Sequence, residues 1–257
     1  MNYGLYLSAS GMLTNMHRQD VTSNNLANVE TAGFKRDLVS LLQRQPESAA
    51  SGQFDLSNQM MDRLGGSTWV GASRPDLSPG PLKETNAPLD LAMQGEGFFV
   101  VAEQRNGEVA ERLTRDGRLK INANGNLATS VGELPLMDAQ GEPIALDPTL
   151  GVEVNEYGVV SQGGAEVGQL RLVHVEDPLS LTPRGQGLYA IDPDQLDNAQ
   201  PAPGLVRQGF IEQSNVDPVK EMLAMIESSR AINHHGTMLQ YHDQLMDRAV
   251  NVLGRVA

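Results

Sequence analysis

This sequence of 257 residues lacks several features, and each absence excludes a class of protein. It has no cysteine, so neither a disulfide scaffold nor a zinc–thiolate site can form. It has one tryptophan, five tyrosines and five phenylalanines, too few for the aromatic platforms that bind sugars or bases. No apolar run approaches the ~20 residues of a membrane-spanning helix. Because small polar residues interrupt the apolar stretch before Arg18, the first basic residue, we expect no cleaved signal peptide.

Positive charge is also scarce. Nineteen basic and 32 acidic residues give a net charge of −13, which would repel a nucleic acid or an anionic membrane. The acidity lies in the middle of the chain: residues 46–218 hold 11 basic and 25 acidic residues, residues 1–45 hold four and three, and residues 219–257 hold four of each. We therefore expect no nucleic-acid partner, no membrane insertion, and two nearly neutral ends that can approach copies of themselves.

Proline is absent from both ends of the chain. All 14 prolines and 21 of the 26 glycines lie within residues 46–218, so the ends favour helix and the middle does not. Near the start, apolar residues recur mostly every three or four positions from Leu5 to Leu26, which predicts an amphipathic helix. We expect it to stop near Asn28, after which Gly33 can take a left-handed conformation.

The other end predicts a longer helix. Asp217 is a suitable N-cap before Pro218 at the first helical position, and we expect ~35 helical residues, roughly 50 Å at 1.5 Å per residue. Apolar residues recur every three or four positions from Met222 to Leu253 and form an apolar stripe along this helix. The stripe is too long for the N-terminal helix to cover, and small or polar residues interrupt it. Periodicity alone leaves two interpretations open: contacts with other copies of the chain, or a two-helix hairpin that caps the β part.

The middle of the chain reads as short strands separated by tight turns. The dipeptide Asn124-Gly125, flanked by residues 119–121 and 127–129, is the strongest hairpin signal. The turn spacing and the lack of helical periods favour an antiparallel sandwich or barrel. Further strands are predicted at residues 98–101, 134–137, 152–154 and 170–175.

These elements predict a mainly β protein with terminal α-helices, in which antiparallel β domains lie between an N-terminal helix and a long C-terminal helix that pair as a coiled-coil-like inner domain. The predicted divisions are residues 1–35 for the N-terminal helical segment, 36–88 for an extended connector, 89–208 for the β-rich central domain, and 209–257 for a return segment and the C-terminal helix.

Signs of catalytic chemistry are weak. Gly95-Glu96-Gly97 lacks the third glycine of a dinucleotide fingerprint, since that position is Val100, and the common phosphate, zinc-hydrolase and serine-hydrolase motifs are missing. His235 and His242 would share a helical face beside His234, but metal ligands on a helix usually lie three or four residues apart. Asp90, Glu96, Asp116 and Glu176 could pair as catalytic carboxylates, although chance explains them equally well. We predict no catalytic, cofactor or metal site.

Three segments make the chain recognisable. Residues 23–35, SNNLANVETAGFK, resemble the N-terminal signature of the bacterial flagellar rod and hook protein family. Residues 88–101 (PLDLAMQGEGFFVV), followed by LTRDG at 113–117 and NGNL at 124–127, resemble that family's opening β module. Residues 209–217 (GFIEQSNVD), followed by Glu-Met at 221–222 and Met-Ile at 225–226, are similar to the entry into its C-terminal helix.

The resemblance implies a structural axial protein without enzymatic activity or a cofactor. Its terminal helices would line the inner tube of a hollow, torque-transmitting polymer around the export channel, with β domains outside. The implied partners are copies of itself, other flagellar rod and hook subunits, and the flagellar type III export apparatus. The implied location is the periplasm-spanning rod of the basal body, reached without a cleaved signal.

Length and module count most resemble the rod members of the family. Many relatives carry Arg-Ala-Tyr/Phe-Glu where this chain has Arg-Ala-Ile-Asn at residues 230–233, a departure that favours the proximal over the distal rod position. A secreted β-domain enzyme acting on glycan, with a helical oligomerisation stalk, is the rival from another class. The predicted subunit-interface residues are Leu5, Met12, Met16, Asn24, Asn25, Leu26, Asn28, Met222, Ile226, Leu239, Met246 and Leu253.

Overall fold

A computed structural model describes residues 2–43, 68–105, 108–249 and 251. In chain order the elements are α1 (Asn2–Ala27), β1 (Asp37–Leu38), β2 (Leu41–Gln43), β3 (Thr68–Val70), β4 (Arg74–Pro75), β5 (Leu82–Glu84), β6 (Leu91–Gln94), β7 (Phe98–Arg105), β8 (Glu108–Thr114), β9 (Leu119–Ile121), β10 (Leu127–Thr129), β11 (Val152–Val154), β12 (Val159–Gln162), β13 (Ala165–Gln169), β14 (Leu172–Val173), β15 (Thr182–Gly185), β16 (Leu188–Ala190), α2 (Pro193–Asp197), β17 (Leu205–Gln208), β18 (Phe210–Glu212) and α3 (Pro218–Arg248). The predicted class is confirmed: antiparallel β structure lies between an N-terminal and a C-terminal helix.

The chain divides into two compact units. The helical unit comprises Met1–Leu26, Asp37–Ser73 and Pro218–Ala257, and the β unit comprises Ala27–Arg36 and Arg74–Asp217.

The helical unit contains both long helices. The 26 residues of α1 end at Ala27, close to the predicted Asn28. The 31 residues of α3 begin at Pro218, as predicted, and are fewer than the ~35 expected. Glu221 in the first turn of α3 and Arg248 in the last turn both suit the helix dipole. A short antiparallel hairpin of β2 and β3 completes this unit.

The β unit is built around a five-stranded sheet in the order β14-β7-β8-β16-β15. A three-stranded sheet, β11-β12-β13, and the antiparallel pairs β9/β10, β6/β17 and β5/β18 surround it. Alternate residues of β7 enter two different cores. Phe99 and Val101 pack in one apolar cluster, and Phe98 and Val100 pack in the other. The strand is therefore covered on both faces.

Local turn chemistry is responsible for the predictions that succeeded. The β9/β10 hairpin pairs Ile121 with Leu127 across the Asn124-Gly125 turn, in which Gly125 has φ of +81°. Gly33 has φ of +67° after α1, as predicted. It is also tightly enclosed, since an added Cβ would lie 2.4 Å from the Arg115 backbone carbon.

One predicted strand does not form as expected. Residues 134–137 pair with their neighbours through isolated bridges: Pro135 with Ala128, Leu136 with Val101, and Met137 with Pro143. Proline has no backbone N–H to donate, so a regular ladder cannot continue through this segment. The predicted strand at residues 170–175 is shorter in the structure, where only Leu172–Val173 is regular.

Candidate functional site

The two terminal helices bury polar side chains and expose apolar ones. Among the side chains described in α1 and α3, every buried one is polar; these are Ser8, Thr14, Thr22, Asn25, Glu221 and Ser228. The large apolar side chains exposed on the same helices are Leu5, Tyr6, Leu7, Leu13, Met16, Val219, Met222, Leu223, Ile226, Met238, Tyr241, Leu245 and Met246. This distribution is the reverse of that in an ordinary amphipathic helix.

The buried threonines of α1 bond to their own helix. The Thr14 hydroxyl donates to the Ser10 carbonyl at 2.9 Å, and the Thr22 hydroxyl donates to the Arg18 carbonyl at 2.8 Å. These bonds satisfy the hydroxyls locally, so their burial carries little desolvation penalty.

Glycine and histidine bring α1 and α3 together. A Cβ added to Gly4 would lie 2.8 Å from the His242 ring, and one added to Gly11 would lie 2.5 Å from the His235 ring. Each ring therefore occupies space that only glycine leaves open. The face predicted to be shared by His235 and His242 is confirmed, but its role in packing against glycine was not predicted.

The contacts between α1 and α3 follow one antiparallel register. Gly4 lies against His242 and Gly11 against His235, seven residues further along each helix and in opposite directions. Fourteen residues beyond Gly11, Asn25 lies against Glu221, which is fourteen residues before His235. We call the α3 positions that follow this seven-residue spacing the polar row; its members are Glu221, Ser228, His235 and His242. A heptad spacing keeps one stripe on one side of a helix, as in a coiled coil.

Asn25 anchors the end of this register at which α1 meets Asp37 of β1. It is 1% exposed, and its amide nitrogen donates to the Asp37 carbonyl at 3.0 Å and to the Glu221 carboxylate at 3.5 Å. Its amide oxygen accepts from the Asp37 backbone N–H at 2.9 Å. Burial raises the pKa of the Asp37 carboxyl, against a smaller opposing effect of a hydrogen bond from Asn24.

The predicted interface residues differ in accessibility. Leu5, Met16, Asn24, Met222, Ile226 and Met246 are exposed; Met12, Leu26, Asn28 and Leu239 are half-buried; Asn25 is buried; and Leu253 lies outside the described residues. Asn28 accepts a hydrogen bond from the Thr31 hydroxyl at 3.1 Å. Most of the accessible members are thus apolar, and Asn25 is used within its own chain.

A buried ionic cluster lies in the β unit. One oxygen of Glu212 accepts from Lys35 Nζ at 2.6 Å and from the Gly80 N–H at 2.8 Å, and the other accepts from Arg115 at 3.0 Å. The side chains of Lys35 and Arg115 are 1% exposed and that of Glu212 is fully buried. We call Lys35, Arg115 and Glu212 the ionic cluster. It contains two cations and one anion.

Backbone and aromatic groups complete the surroundings of the two cations. Lys35 also donates to the Ser78 carbonyl at 2.8 Å, and Arg115 donates to the Gly95 carbonyl at 2.9 Å. The Arg115 guanidinium lies 5.2 Å from the centre of the Phe98 ring, within cation–π range. Burial lowers the pKa of both Lys35 and Arg115, although the attraction of Glu212 opposes that effect.

The ionic cluster joins the three recognised sequence segments. Lys35 ends the first segment, Arg115 lies in the LTRDG part of the second, and Glu212 lies in the third. The Glu212 backbone carbonyl also accepts from the Gly33 N–H at 2.8 Å. Sequence reasoning missed this cluster, because its three charges stand among other polar and charged residues, such as Arg36 and Asp116, that are not part of it.

Two of the four carboxylates considered for catalysis, Asp116 and Glu96, lie beside basic side chains. Arg118 donates to both oxygens of Asp116, at 2.9 and 2.6 Å. Glu96 lies 3.6 Å from the His174 ring nitrogen. In the part of the chain that the structure describes, no three His, Asp or Glu side chains are grouped so that they could hold a metal ion. Over the same residues, no helix has both the length and the apolar character needed to cross a bilayer.

Comparison with known proteins gives family matches at both ends and in the centre. Residues 5–35 match the family described as flagella basal body rod protein, residues 92–162 match the flagellar hook protein FlgE/F/G D1 domain, and residues 207–252 match the flagellar basal body rod FlgEFG protein C-terminal family. The first match includes most of α1, and the third includes all of α3.

Whole-chain relatives agree with these matches. The flagellar basal-body rod protein FlgF of Caulobacter vibrioides is 36% identical, with both chains covered in full. FlgF of Mesorhizobium japonicum is 30% identical over 99% of each chain. FlgG of Buchnera aphidicola subsp. Schizaphis graminum is 30% identical over 95% of this chain and 97% of its own. The chain therefore belongs to the flagellar basal-body rod and hook protein family and is FlgF-like.

Proposed function

We propose that this protein is a structural axial subunit of the flagellar basal-body rod, which polymerises through α1 and α3 into a hollow shaft. The shaft would transmit torque and enclose the export channel. Its partners would be copies of itself and other rod and hook subunits, and the type III apparatus would export it without a cleaved signal. The periplasm-spanning part of the basal body is the proposed location, and no enzymatic activity is proposed.

One observation carries this proposal: the helical unit keeps its apolar side chains outside. Exposed apolar patches of this extent mark surfaces that other molecules cover. Covering a leucine- or methionine-sized side chain contributes about 1.5–3 kcal/mol each, so repeated contacts along two helices supply a large driving force. The polar row meanwhile fixes how α1 and α3 pair, and so leaves the apolar side chains free for neighbours.

Charge is compatible with close contact between copies. Residues 1–45 and 219–257 are nearly neutral, whereas the acidic excess lies in residues 46–218. Methionine suits a polymer interface, because its flexible thioether side chain can fill non-equivalent gaps between neighbouring helices. For the interface we retain the predicted residues that are exposed or half-buried, and we assign Asn25 to positioning within the subunit.

The FlgF relatives support the proximal rod position, and the FlgG relatives keep the distal position open. FlgG of Borreliella burgdorferi is 29% identical over 98% of this chain. The departure at residues 230–233 supports the FlgF-like assignment. Genetic replacement tests the choice directly: the gene should restore motility to cells that lack FlgF and should fail in cells that lack FlgG.

Polymerisation is tested by sedimentation of the full chain. We expect open growth with rising concentration, and loss of that growth when Met222 and Ile226 are both changed to Asp. Val109→Asp is the matched control, since Val109 is a comparably exposed apolar residue in the β unit. A single oligomer of fixed size at all concentrations would contradict assembly through the helices. An equal loss of growth in the Val109→Asp control would contradict it as well.

A further inference from the structure

A small apolar groove lies between α1 and the β2/β3 hairpin within the helical unit. Its volume is about 290 Å³. Tyr6, Ser10 and Leu13 line the helix side, and Thr68, Trp69 and Val70 line the hairpin side. Of the residues that the structure describes, none with a charged side chain lines it. An uncharged groove of this size suits one or two apolar side chains rather than an anion or a cationic peptide.

Hydrogen bonds hold the two walls in place. The Ser10 hydroxyl donates to the Thr68 carbonyl at 3.2 Å, which fastens the hairpin to α1. The hairpin pairs Leu42 opposite Trp69, and beyond it the Gly71 N–H donates to the Ser40 carbonyl at 2.8 Å. The groove is therefore preformed, so an occupant need not order it first.

The chain's single tryptophan is exposed at this groove. Trp69 is 60% exposed, and Leu13 on the opposite wall is 67% exposed. Tryptophan buries more apolar area than any other side chain and is enriched among residues that dominate binding energy. Among the residues that the structure describes, none covers Trp69, and an exposed tryptophan beside an apolar groove indicates a binding surface.

The α3 helix offers a complementary row. Met238, Tyr241 and Leu245 follow one side of the helix at steps of three and four, and all three are more than half exposed. Within one chain, α3 meets α1 through His235 and His242 instead. The row contains no charge, and residues 219–257 are neutral overall, so it matches the uncharged groove of another copy.

We infer that the Trp69 groove of one subunit receives the Met238, Tyr241 and Leu245 row of a second copy. This contact rests on the proposed polymerisation and specifies one of its interfaces. It joins two different surfaces, so each bound copy presents a fresh groove, and growth is open when the rotation between copies does not close a ring. In the α1/α3 register, Ser10 at the centre of the groove lies level with Gly236 of α3, about five residues from the centre of the row. Two copies in parallel orientation would therefore be displaced by ~8 Å along the helix axis, at 1.5 Å per residue.

Tryptophan fluorescence tests this contact without any label. Trp69 is the only tryptophan, so the emission of the full chain reports the groove alone. We expect solvent-exposed emission in dilute solution and a blue shift as concentration rises and sedimenting species appear. Tyr241→Glu should abolish the shift, whereas Tyr157→Glu should not, because Tyr157 is a tyrosine of the β unit that is also more than half exposed.

Disulfide cross-linking identifies the occupant of the groove. Because the chain has no native cysteine, only the introduced cysteines can form disulfides. Copies carrying Leu13→Cys, mixed with copies carrying Leu245→Cys, should form mixed disulfide dimers under mild oxidation, well above the yield for Leu13→Cys mixed with Val109→Cys. Absence of that excess, with Trp69 still exposed in sedimenting polymers, would overturn the groove contact and leave polymerisation standing. Absence of any growth would overturn both.

Two further results would overturn the inference by naming another occupant. A blue-shifted emission that is independent of concentration would show that the chain fills its own groove. A blue shift produced by neutral phosphatidylcholine vesicles, at a protein concentration too low for growth, would show that a lipid surface is the occupant.

Discussion

Replacing Glu212 by Gln removes the only anion of the ionic cluster and should severely destabilise the β unit. The carboxylate accepts three hydrogen bonds, from Lys35, Gly80 and Arg115. The glutamine side chain would leave two buried cations without a counter-charge. Removing one partner from a buried ion pair costs about 3–5 kcal/mol, and we expect a loss of stability in that range.

Because the ionic cluster holds two cations and one anion, we expect loss of Lys35 to destabilise the β unit less than loss of Glu212. Lys35→Met keeps a side chain of similar length and leaves a one-to-one pair between Arg115 and Glu212. The lowered pKa of Lys35 shows that burial already penalises its charged form. The remaining cost comes from lost hydrogen bonds to Glu212 and to the Ser78 carbonyl, and we expect about 1–2 kcal/mol.

Native-state hydrogen exchange of the full chain measures both changes. Amides of β7 and β8 lie in the central sheet and should report opening of the whole β unit. Glu111→Gln is the matched control, because its pair with Arg171 at 2.8 Å is part-exposed and should contribute no more than about 1 kcal/mol. A cost below about 1 kcal/mol for Glu212→Gln, or a larger cost for Lys35→Met, would refute this reasoning.

Three further predictions concern glycine and pH, and each is checked by hydrogen exchange. Gly11→Ala should reduce the exchange protection of α1 and α3, because the new Cβ would lie 2.5 Å from the His235 ring. Adding His235→Ala to Gly11→Ala should restore that protection. Gly236→Ala should increase protection, because a Cβ there meets nothing within 4 Å and alanine favours helix. Gly33→Ala should destabilise the β unit by more than about 1 kcal/mol, since it combines a positive φ with a clash against Arg115; unchanged protection would contradict this. Because burial raises the folded-state pKa of Asp37, its stabilising contribution is complete below its ordinary pKa of 3.8 and is lost as pH rises through the folded value. The exchange protection of the helical unit should therefore be equal in Asp37→Asn and in the parent chain at acid pH, and higher in Asp37→Asn at neutral pH. A difference in protection that does not change with pH would exclude the Asp37 charge as its cause.

Local signals explain what the sequence could predict. The Asn124-Gly125 hairpin, the left-handed Gly33 and the start of α3 at Pro218 each depend on residues a few positions apart. Their chemistry is complete within the turn or cap itself. The failure at residues 134–137 has a local cause too, since Pro135 lacks a ladder donor and the prediction ignored it.

The helix contact could not be predicted from periodicity. The usual rule places the apolar stripe inside, whereas α3 turns its polar row toward α1 and leaves Met222 and Ile226 exposed. That rule assumes a chain that must cover its own apolar surface. A subunit whose surface is completed by other chains is under no such requirement, so the same stripe lies outside.

The ionic cluster was beyond sequence reasoning for a different reason. Lys35 and Glu212 lie 177 residues apart, and no local pattern links a lysine after one helix to a glutamate before another. Only the fold shows that they meet with Arg115. The recognised segments hold further charged residues, among them Glu30 and Asp116, so nothing local marked these three as buried partners.

The placement of these residues separates what the recognised segments do from what distinguishes one rod subunit from another. Asn25, Lys35, Arg115 and Glu212 are all buried and bonded within their own chain, so these segments specify a shared subunit fold. Choice of neighbour must then depend on accessible residues. Arg230 and Ala231 match the relatives, so the departure lies at Ile232 and Asn233; it fits this division, because Asn233 is exposed on α3 and Ile232 is half-buried. Exchanging Ile232 and Asn233 for their counterparts in a distal-rod relative should change the partner while leaving exchange protection of the β unit unchanged, and a loss of that protection would contradict the division.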